Sequence, residues 1–491
     1  MINRHNQRLA SIAFATSGLI AMLLSAALLP TTPVHGQAAT DQNQALAQSI
    51  YDLHLYRQQD ANHSQHSPVA HGFAVLIDQQ GTFLTSRYLL GRPQEMTCLL
   101  GRPNSQQRTP VQIVAADTWS DLAIIKLPDD LDDETRKALL EDAIVAPLQT
   151  ENCQNPTANE SLFTFKQVLD TDDVDTSFKK VSGSVKTIRP LPEVMRQNRF
   201  DLLGIYSGYQ YGGLWELQLQ ESKIYSSGLP VFDADDNLRG LTTARIEFAI
   251  ASSQPACSIL VFSPAHGRIL STLVQGKTPD YGFLGVQPRN LSANQETQTN
   301  LKGIQIVDVA TNSPADVAGL QFTDIITHID DQPLTDSDSF WQSFHWQQAG
   351  RQLKIRVTRG ALKDGPVTEF EATCQLSKRR LDLALPSIRS APVDSWQGLQ
   401  VEYPFAIENH QTIQSNISPD GCVVSSFVQL NSPAWEAGLR PRLVILHVNG
   451  SKVSSPAEFF SKVNQSASET VLISGVEPTT GDSFQYSLPK Q

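Results

Sequence analysis

The sequence predicts a mainly β fold, in which a double β-barrel precedes two copies of a smaller α+β module. Short β-type runs separated by turns recur from Val69 to about Phe262, a region of about two hundred residues, which is the size that two Greek-key barrels need. Beyond it one sequence pattern occurs twice, and such a repeat indicates one structural unit used twice. At about 150 residues per domain, the chain of 491 residues has room for roughly three domains.

Residues 1–36 have the layout of an export signal. Arg4 and Arg8 form a basic head, a largely apolar run covers residues 9–29, and small residues follow. We expect cleavage after Gly36. The alternative is an uncleaved membrane anchor, because the run is about long enough to span a bilayer. Both interpretations place the folded part outside the cytoplasm.

The composition argues against several classes of function. The chain carries 38 basic and 50 acidic side chains, a net charge of -12, without long runs of one sign, so a nucleic acid is not expected as a partner. The five cysteines show no C-x-x-C spacing, so neither a zinc site nor a dense disulfide scaffold is predicted, and no cofactor is expected. Most should be buried, although a bridge between Cys98 and Cys153 stays open in an exported compartment.

Residues 37–67 are predicted to form a short helix and a linker. Apolar residues recur at roughly helical spacing from Asn43 to Tyr56, and a polar stretch follows. Three histidines close together in sequence could suggest a metal site, namely His63, His66 and His71. Because the stretch is polar, we interpret them as solvated side chains.

The first barrel begins with a predicted β-hairpin. Gly72–Asp78 and Thr82–Ser86 have strand character, and Gly81 lies at the bend between them. Further β-type segments and one acidic helical segment follow: Val111–Val114, Leu122–Leu127 and Asp132–Asp142.

Asp233–Asn237 has the D-x-D-x-N spacing that opens an EF-hand calcium loop. The sixth position is Leu238 instead of glycine, and the twelfth is Ala244 instead of a bidentate glutamate. We therefore predict a hairpin turn of the second barrel here.

A connector helix and the repeated module complete the chain. The helix is predicted to start near Pro264. The repeated pattern is N-S-P-A-D-V-A-G-L at Asn312–Leu320 and N-S-P-A-W-E-A-G-L at Asn431–Leu439. In both copies a β-type run precedes the pattern, and a strand and a turn follow it.

Together, the export signal, the barrels, the connector helix and the repeated S-P-A-x-x-A-G-L resemble the HtrA (DegP/DegQ-type) serine proteases with tandem PDZ domains. The resemblance implies a chymotrypsin/trypsin-like double β-barrel at 68–276, a PDZ domain at 280–378, a linker at 379–394 and a second PDZ domain at 395–491. It also implies trimers built through the protease domains, or mixed oligomers with active homologues.

The resemblance also locates a catalytic triad with one position changed. Tyr88 stands where the family has the histidine that acts as general base, and Asp121 matches the aspartate of D-x-x-(T/S)-D-L-A. Ser227 and Gly228 match the nucleophile motif G-N-S-G-G-P. Within that motif Tyr225 and Leu229 replace glycines.

A tyrosine is a poor replacement for the histidine. The phenol has an ordinary pKa of about 10, so it is protonated at neutral pH and cannot readily take the proton of Ser227. Loss of the histidine from a working triad costs on the order of a millionfold in turnover. Tyr225 also hinders the oxyanion turn, where glycine fits at less steric cost. We expect an inactive protease domain, in which the Tyr88 phenol donates to the Asp121 carboxylate.

Two alternatives remain at this stage. The chain could be an active serine endopeptidase that uses an unusual base, with His54 and His71 as candidates, or the alignment at Tyr88 could be shifted. It could also be a purely structural member of a mixed oligomer.

The modules are expected to bind peptides. A PDZ domain adds an extended peptide to a sheet edge and holds its terminal carboxylate with backbone N–H groups of a glycine-containing loop. In the first module this loop contains Gly282, Phe283, Leu284 and Gly285, and in the second it contains Gly398 and Leu399. Each loop is expected to face a helix, Asp336–Phe344 in the first module and a helix with Ser455 as N-cap and Pro456 at its first position in the second. Whether the helix aromatics line a pocket or the core stays open. The expected partners are protein C-termini and unfolded proteins.

Overall fold

The computed structural model describes residues 45–57, 67–91, 96–103, 105–148, 157, 159–169, 176–185, 214–220, 224, 226–243, 256–344, 346–363, 366–380, 387–407 and 422–490. All of them belong to one compact unit, Asn43–Gln491. The predicted signal or anchor, Cys153 and Tyr225 lie outside these residues. Within the described ranges, no helix combines the length and the apolar character that crossing a bilayer requires.

The first barrel region is an antiparallel sheet. Its strands are β1 Ile50–Arg57, β2 Ala70–Leu76, β3 Thr82–Ser86, β4 Met96–Gly101, β5 Thr109–Pro110, β6 Gln112–Asp117, β7 Leu122–Lys126 and, from far along the chain, β22 Ile388–Arg389. They follow the order β22-β6-β7-β3-β2-β1-β4-β5. The predicted hairpin is confirmed, since β2 pairs with β3 and Gly81 lies at the bend with a φ of 87°.

Strand β1 corrects the prediction of a helix that reached Tyr56. The side chains of Tyr51, Leu53 and Leu55 point into the core of the first barrel, whereas Ile50 belongs to the core on the opposite side of the sheet. With both faces partly buried, the strand lacks a clean alternation of apolar and polar residues. Its apolar residues therefore matched a helical spacing equally well.

The second barrel is closed. Its strands are β8 Ser161–Leu169, β9 Thr176–Val185, β10 Leu214–Leu219, β11 Pro230–Phe232, β12 Leu238–Thr242 and β13 Ala256–Val261, in the order β10-β13-β12-β11-β8-β9. Asp233 lies in the turn between β11 and β12 and accepts hydrogen bonds from the backbone N–H groups of Asp235 and Asn237 at 3.0 and 2.9 Å. The predicted hairpin turn is therefore confirmed.

The helices start where the sequence has capping residues. They are α1 Asp133–Leu140, α2 Pro264–Val274, α3 Ala293–Thr299, α4 Pro314–Val317, α5 Ser337–Phe344, α6 Pro433–Glu436 and α7 Pro456–Gln465, with two 3-10 turns at Arg87–Leu90 and Pro404–Ala406. Ser455 caps α7 as predicted, because its hydroxyl accepts from the Glu458 N–H at 3.2 Å. The connector α2 begins at Pro264, also as predicted, and packs its buried side chains on the core between the two barrels.

The two repeated modules have the same strand order. The first contains β14 Gly282–Phe283, β15 Val286–Asn290, β16 Ile304–Val309, β17 Ile325–Ile329, β18 Gln332–Pro333, β19 Gln352–Arg359, β20 Thr368–Gln375 and β21 Ser377–Lys378; the second contains β23 Leu399–Glu402, β24 Val423–Val428, β25 Val444–Val448, β26 Ser451–Lys452, β27 Thr470–Val476 and β28 Ser483–Pro489. The main sheets are β15-β16-β17-β19-β20 and β23-β24-β25-β27-β28. Strands β15 and β23 therefore lie at sheet edges.

The predicted linker between the modules is partly a strand of the first barrel. Ile388 pairs with Ala116 and Arg389 with Ala115, and the Ser390 N–H donates to the Val114 carbonyl at 2.8 Å. The segment thus covers the edge of β6, which would otherwise expose unpaired backbone groups.

Four cysteines, Cys98, Cys257, Cys374 and Cys422, are buried, as expected for apolar residues. Cys98 is a free thiol, and Cys153, the partner considered for it, lies outside the described residues. Burial raises the pKa of the Cys98 thiol to about 12.

Candidate active site and peptide-binding loops

The Ser227 turn is held between the two barrels by backbone hydrogen bonds. The Gly228 N–H donates to the Thr242 carbonyl at 2.9 Å, and the Phe73 N–H of β2 donates to the Ser227 carbonyl at 3.0 Å. The Thr242 hydroxyl donates to the Ser226 carbonyl at 2.6 Å and accepts from the Leu229 N–H at 3.1 Å. These bonds fix the turn against the middle of β2 and the end of β12.

Gly228 is required at this turn. Its φ is 87°, a conformation that other residues adopt at a cost, and a Cβ atom there would overlap the carbonyl oxygen of Phe73. The side chain of Leu89 packs beside the same turn, against Gly72 and within 3.3 Å of where the Cβ of Gly228 would lie. Ser227 is only 1% exposed, so its neighbours enclose it almost completely.

The Asp121 carboxylate is already occupied by three donors. Its Oδ2 accepts from the Ser86 hydroxyl at 2.8 Å and from the Thr243 hydroxyl at 3.3 Å, and its Oδ1 accepts from the Tyr88 backbone N–H at 2.8 Å. The backbone N–H of Tyr88 thus contacts Asp121, whereas the expected hydrogen bond from the Tyr88 phenol stays a prediction. Because Thr243 follows β12 of the second barrel, the carboxylate joins the two barrels.

The two histidines considered as alternative bases lie in a cluster of their own. His54 and His71 face each other across β1 and β2, with ring centroids 4.8 Å apart, and the His71 Nε2 lies 3.7 Å from the Asp52 Oδ1. Burial, with the nearby His71 and Arg108, lowers the pKa of His54 to about 4. Sequence reasoning missed this cluster, because it depends on how β1 pairs with β2.

The predicted peptide-binding loop of the first module leads into the edge strand β15. The carbonyls of Leu284 and Gly285 accept from the N–H groups of Ala315 and Ala310 at 2.9 and 2.8 Å. The N–H groups of Leu284 and Gly285 donate to no backbone carbonyl among the described residues. Gly285 has a φ of 90° and lies against Ser313, the N-cap of α4. Two adjacent N–H groups are therefore available beside an open sheet edge.

Gly282 and Phe283 have a different role. They form β14, which pairs with β21, and the Phe283 ring packs against Phe405 of the second module with centroids 5.0 Å apart and a tilt of 33°. The Lys378 ammonium also forms an ion pair with Glu402. The first residues of the predicted loop thus hold the two modules together.

The corresponding loop of the second module is closed by a tight turn. The Leu399 N–H donates to the Trp396 carbonyl at 2.8 Å, and the Trp396 N–H donates to the Leu399 carbonyl at 2.9 Å. Gly398 lies against Ser432 just as Gly285 lies against Ser313. Leu399 matches Val286, the first residue of β15. Gln397 and Gly398 match Leu284 and Gly285: their carbonyls accept from the N–H groups of Ala434 and Gln429 at 3.2 and 2.8 Å, and their own N–H groups donate to no backbone carbonyl among the described residues.

The aromatic residues of the two helices mainly belong to the cores. Phe340 and Phe344 of α5 are buried in the first module and Phe459 of α7 in the second, whereas Trp341 and Phe460 are partly buried at the edges of these cores.

Asp117, at the end of β6, joins the barrel to both ends of the first module. Its Oδ2 accepts from the Ser120 N–H and hydroxyl at 2.8 and 2.7 Å and from the Tyr281 hydroxyl, and its Oδ1 accepts from the Ser387 hydroxyl at 3.0 Å. Burial and the adjacent Asp117 raise the pKa of Tyr281 well above its ordinary value. The contacts with Tyr281 and Ser387 could not be predicted from local sequence patterns, because both residues lie far from Asp117 along the chain.

Comparisons with known proteins agree with this architecture. A family model described as PDZ domain matches residues 282–371. The chain is 23% identical over 256 residues to a probable periplasmic serine endoprotease DegP-like of Chlamydia pneumoniae, covering 50% of this chain and 48% of that protein. It is 26% identical over 146 residues to the putative serine protease HhoA of Synechocystis sp., covering 28% and 36%. The chain spans at most about half the length of these curated relatives.

The chain is also similar to solved structures of proteases. An HtrA-type protease AlgW with tripeptide matches with 17% identity and a TM-score of 0.47, covering 71% of this chain and 99% of that one. The serine endoprotease from Yersinia pestis matches with 14% identity and a TM-score of 0.42, covering 69% and 98%.

Proposed function

We propose that the chain is a non-proteolytic member of the HtrA family in the periplasm or cell envelope, because it is similar to DegP-like and HhoA serine proteases over at most half of its length and a PDZ-domain model matches residues 282–371. It binds protein C-termini or unfolded segments, as a scaffold, a holdase or a regulator of active homologues. The names of the relatives, periplasmic serine endoproteases, support this location.

The arrangement around Asp121 carries the proposal that the barrel is inactive. In a working triad the carboxylate accepts from the ring N–H of the histidine, which then takes the serine proton. Here the residue at the histidine position is Tyr88, whose backbone N–H donates to the Asp121 carboxylate. A phenol that is protonated at neutral pH supplies no base. The burial of Ser227 supports the same conclusion.

The first loop supports peptide binding by the first module. A terminal carboxylate needs adjacent N–H donors, and an extended peptide needs a free strand edge. Leu284 and Gly285 provide the donors and β15 provides the edge. The PDZ-domain match lies in the first module, and Phe405 and Glu402 of the second module contact the first, so we propose that the second module mainly serves assembly.

Proteolysis is tested on the full chain with unfolded casein and a serine-reactive fluorophosphonate, with Ser227→Ala as the control. We expect no difference between the parent and the control in either assay. Labelling of the parent at Ser227 together with casein cleavage would show an active endopeptidase and overturn the proposal.

Peptide binding is tested separately by fluorescence anisotropy with a library of labelled peptides. Each peptide is compared with a version whose C-terminus is amidated, because the amide removes the charge that the loop N–H groups would hold. We expect binding that weakens at least tenfold on amidation, about 1.4 kcal/mol. If no peptide binds, the chain is better explained as a structural member of a mixed oligomer.

A further inference from the structure

Three side chains with metal-binding atoms meet on one face of β1 and β2. They are Asp52, His54 and His71, and their candidate ligand atoms all lie within 4.8 Å of one another. The same face carries Phe73. The centroid of the Phe73 ring lies 5.6 Å from that of the Phe178 ring in the second barrel. None of the three residues belongs to the triad positions or to the peptide-binding loops, although Gly72, which follows His71, lies against the Ser227 carbonyl.

The strand register explains why the three side chains converge. The Leu76 N–H donates to the Ser49 carbonyl at 2.9 Å, which makes Ser49 and Leu76 a hydrogen-bonded pair. Because the pairs alternate along an antiparallel ladder, His54 and His71 form a non-hydrogen-bonded pair, in which side chains are closest. Asp52 precedes His54 by two residues and so points to the same side of the sheet.

The polar atoms around the cluster leave one carboxylate oxygen without a hydrogen bond. Asp52 is 5% exposed, and its Oδ1 has no hydrogen-bond partner among the described residues. This oxygen faces the His71 Nε2 at 3.7 Å, whereas the Oδ2 contacts the Arg108 guanidinium at 3.3 Å. The Tyr56 hydroxyl lies 3.5 Å from the Nδ1 of His54.

We propose that Asp52, His54 and His71 bind one Zn²⁺ ion. Two imidazoles and a carboxylate are a common zinc ligand set, and three protein ligands leave a fourth position for water. That position can face solvent, because the His71 side chain is 37% exposed. Arg108 on the Oδ2 and Tyr56 beside the Nδ1 of His54 are the outer partners that orient ligands at such sites.

Binding requires only small side-chain movements. Zinc–ligand distances of about 2.0–2.1 Å require the ligand atoms to approach one another by roughly an ångström, which rotation of the exposed His71 can supply. The ion joins β1 to β2 next to Phe73, whose N–H holds the carbonyl of Ser227. This proposal is independent of the proposed function, since it involves neither proteolysis nor peptide binding.

The test uses the metal-stripped full chain, titrated with ZnCl₂ in a calorimeter. Substituting either His71→Gln or His54→Gln removes one ligand, and His328→Gln is the control, because His328 is a half-buried strand histidine of the first module. We expect one zinc ion per chain for the parent and the control. Each ligand variant should bind at least about a hundredfold more weakly, because even substitution of an outer partner costs 10- to 100-fold.

A second readout separates binding from a folding defect. Zinc should raise the thermal unfolding temperature of the parent and of His328→Gln, but not that of His71→Gln, whose unfolding temperature without metal should equal that of the parent. Unchanged zinc affinity in His71→Gln, or no zinc binding by the parent, would overturn the proposal.

Discussion

Tyr281→Phe tests whether Asp117 connects the first module to the barrel. The substitution keeps the ring, which lies 5.8 Å from the Trp119 ring, and removes only the hydroxyl that donates to the buried Asp117 carboxylate. The bonds from Ser120 and Ser387 to the same carboxylate remain. The measured loss therefore reports a single hydrogen bond to a charged group.

A hydrogen bond to a charged group contributes about 1.5–3 kcal/mol. We expect a loss near the lower end of this range, because three donors still satisfy Asp117. The pKa of Tyr281 is raised in the folded protein, so its contribution is present below the unfolded pKa of about 10 and is lost as the pH rises through the folded pKa. Between about pH 6 and about pH 9 the titration of Tyr281 should therefore not change the loss of stability that Tyr281→Phe causes.

The assay is hydrogen exchange of the peptide that contains residues 117–121, because the Ser120 N–H donates to Asp117 in this turn. A loss of about 1.5–3 kcal/mol corresponds to exchange that is about 10- to 150-fold faster. Tyr486→Phe, which removes a phenol from the second module, is the control and should leave this peptide unchanged. Exchange in Tyr281→Phe within about twofold of the parent would refute the role assigned to Asp117.

Three further predictions concern the loops, the module contact and the triad. Gly285→Ala should abolish the binding of peptide C-termini, measured by anisotropy, whereas the matched Gly398→Ala should retain it. An equal loss of binding in both variants would contradict the assignment of peptide binding to the first module. Phe405→Ala should lower the free energy of unfolding, measured with urea, by up to about 3–5 kcal/mol, because Phe405 is buried against Phe283. The control Phe322→Ala changes an exposed side chain and should lower it by less than about 0.5 kcal/mol. Tyr88→His alone should not restore casein cleavage, because Ser227 stays buried; cleavage by this variant would show that only the base is missing.

Local signals predicted the elements that depend on neighbouring residues. Gly81 at a bend and Ser455 before a proline each act within a few residues, and both predictions are confirmed. The errors concern long-range pairing. Strand β1 has both faces partly buried and therefore matched a helical spacing, and the strand at Ile388 exists only because it pairs with β6. At the candidate site, the residue at the triad position could be identified from sequence, but the three donors on Asp121 depend on tertiary structure.

The turn from Asp117 to Asp121 connects the two halves of this molecule. At its start, Asp117 accepts from Tyr281, the residue that leads into the first module. In its middle, the Trp119 ring lies 4.6 Å from the guanidinium of Arg379, at the other end of that module. At its end, Asp121 accepts from Tyr88 at the altered triad position. One short turn therefore contacts residues on both sides of the first module and the altered triad position.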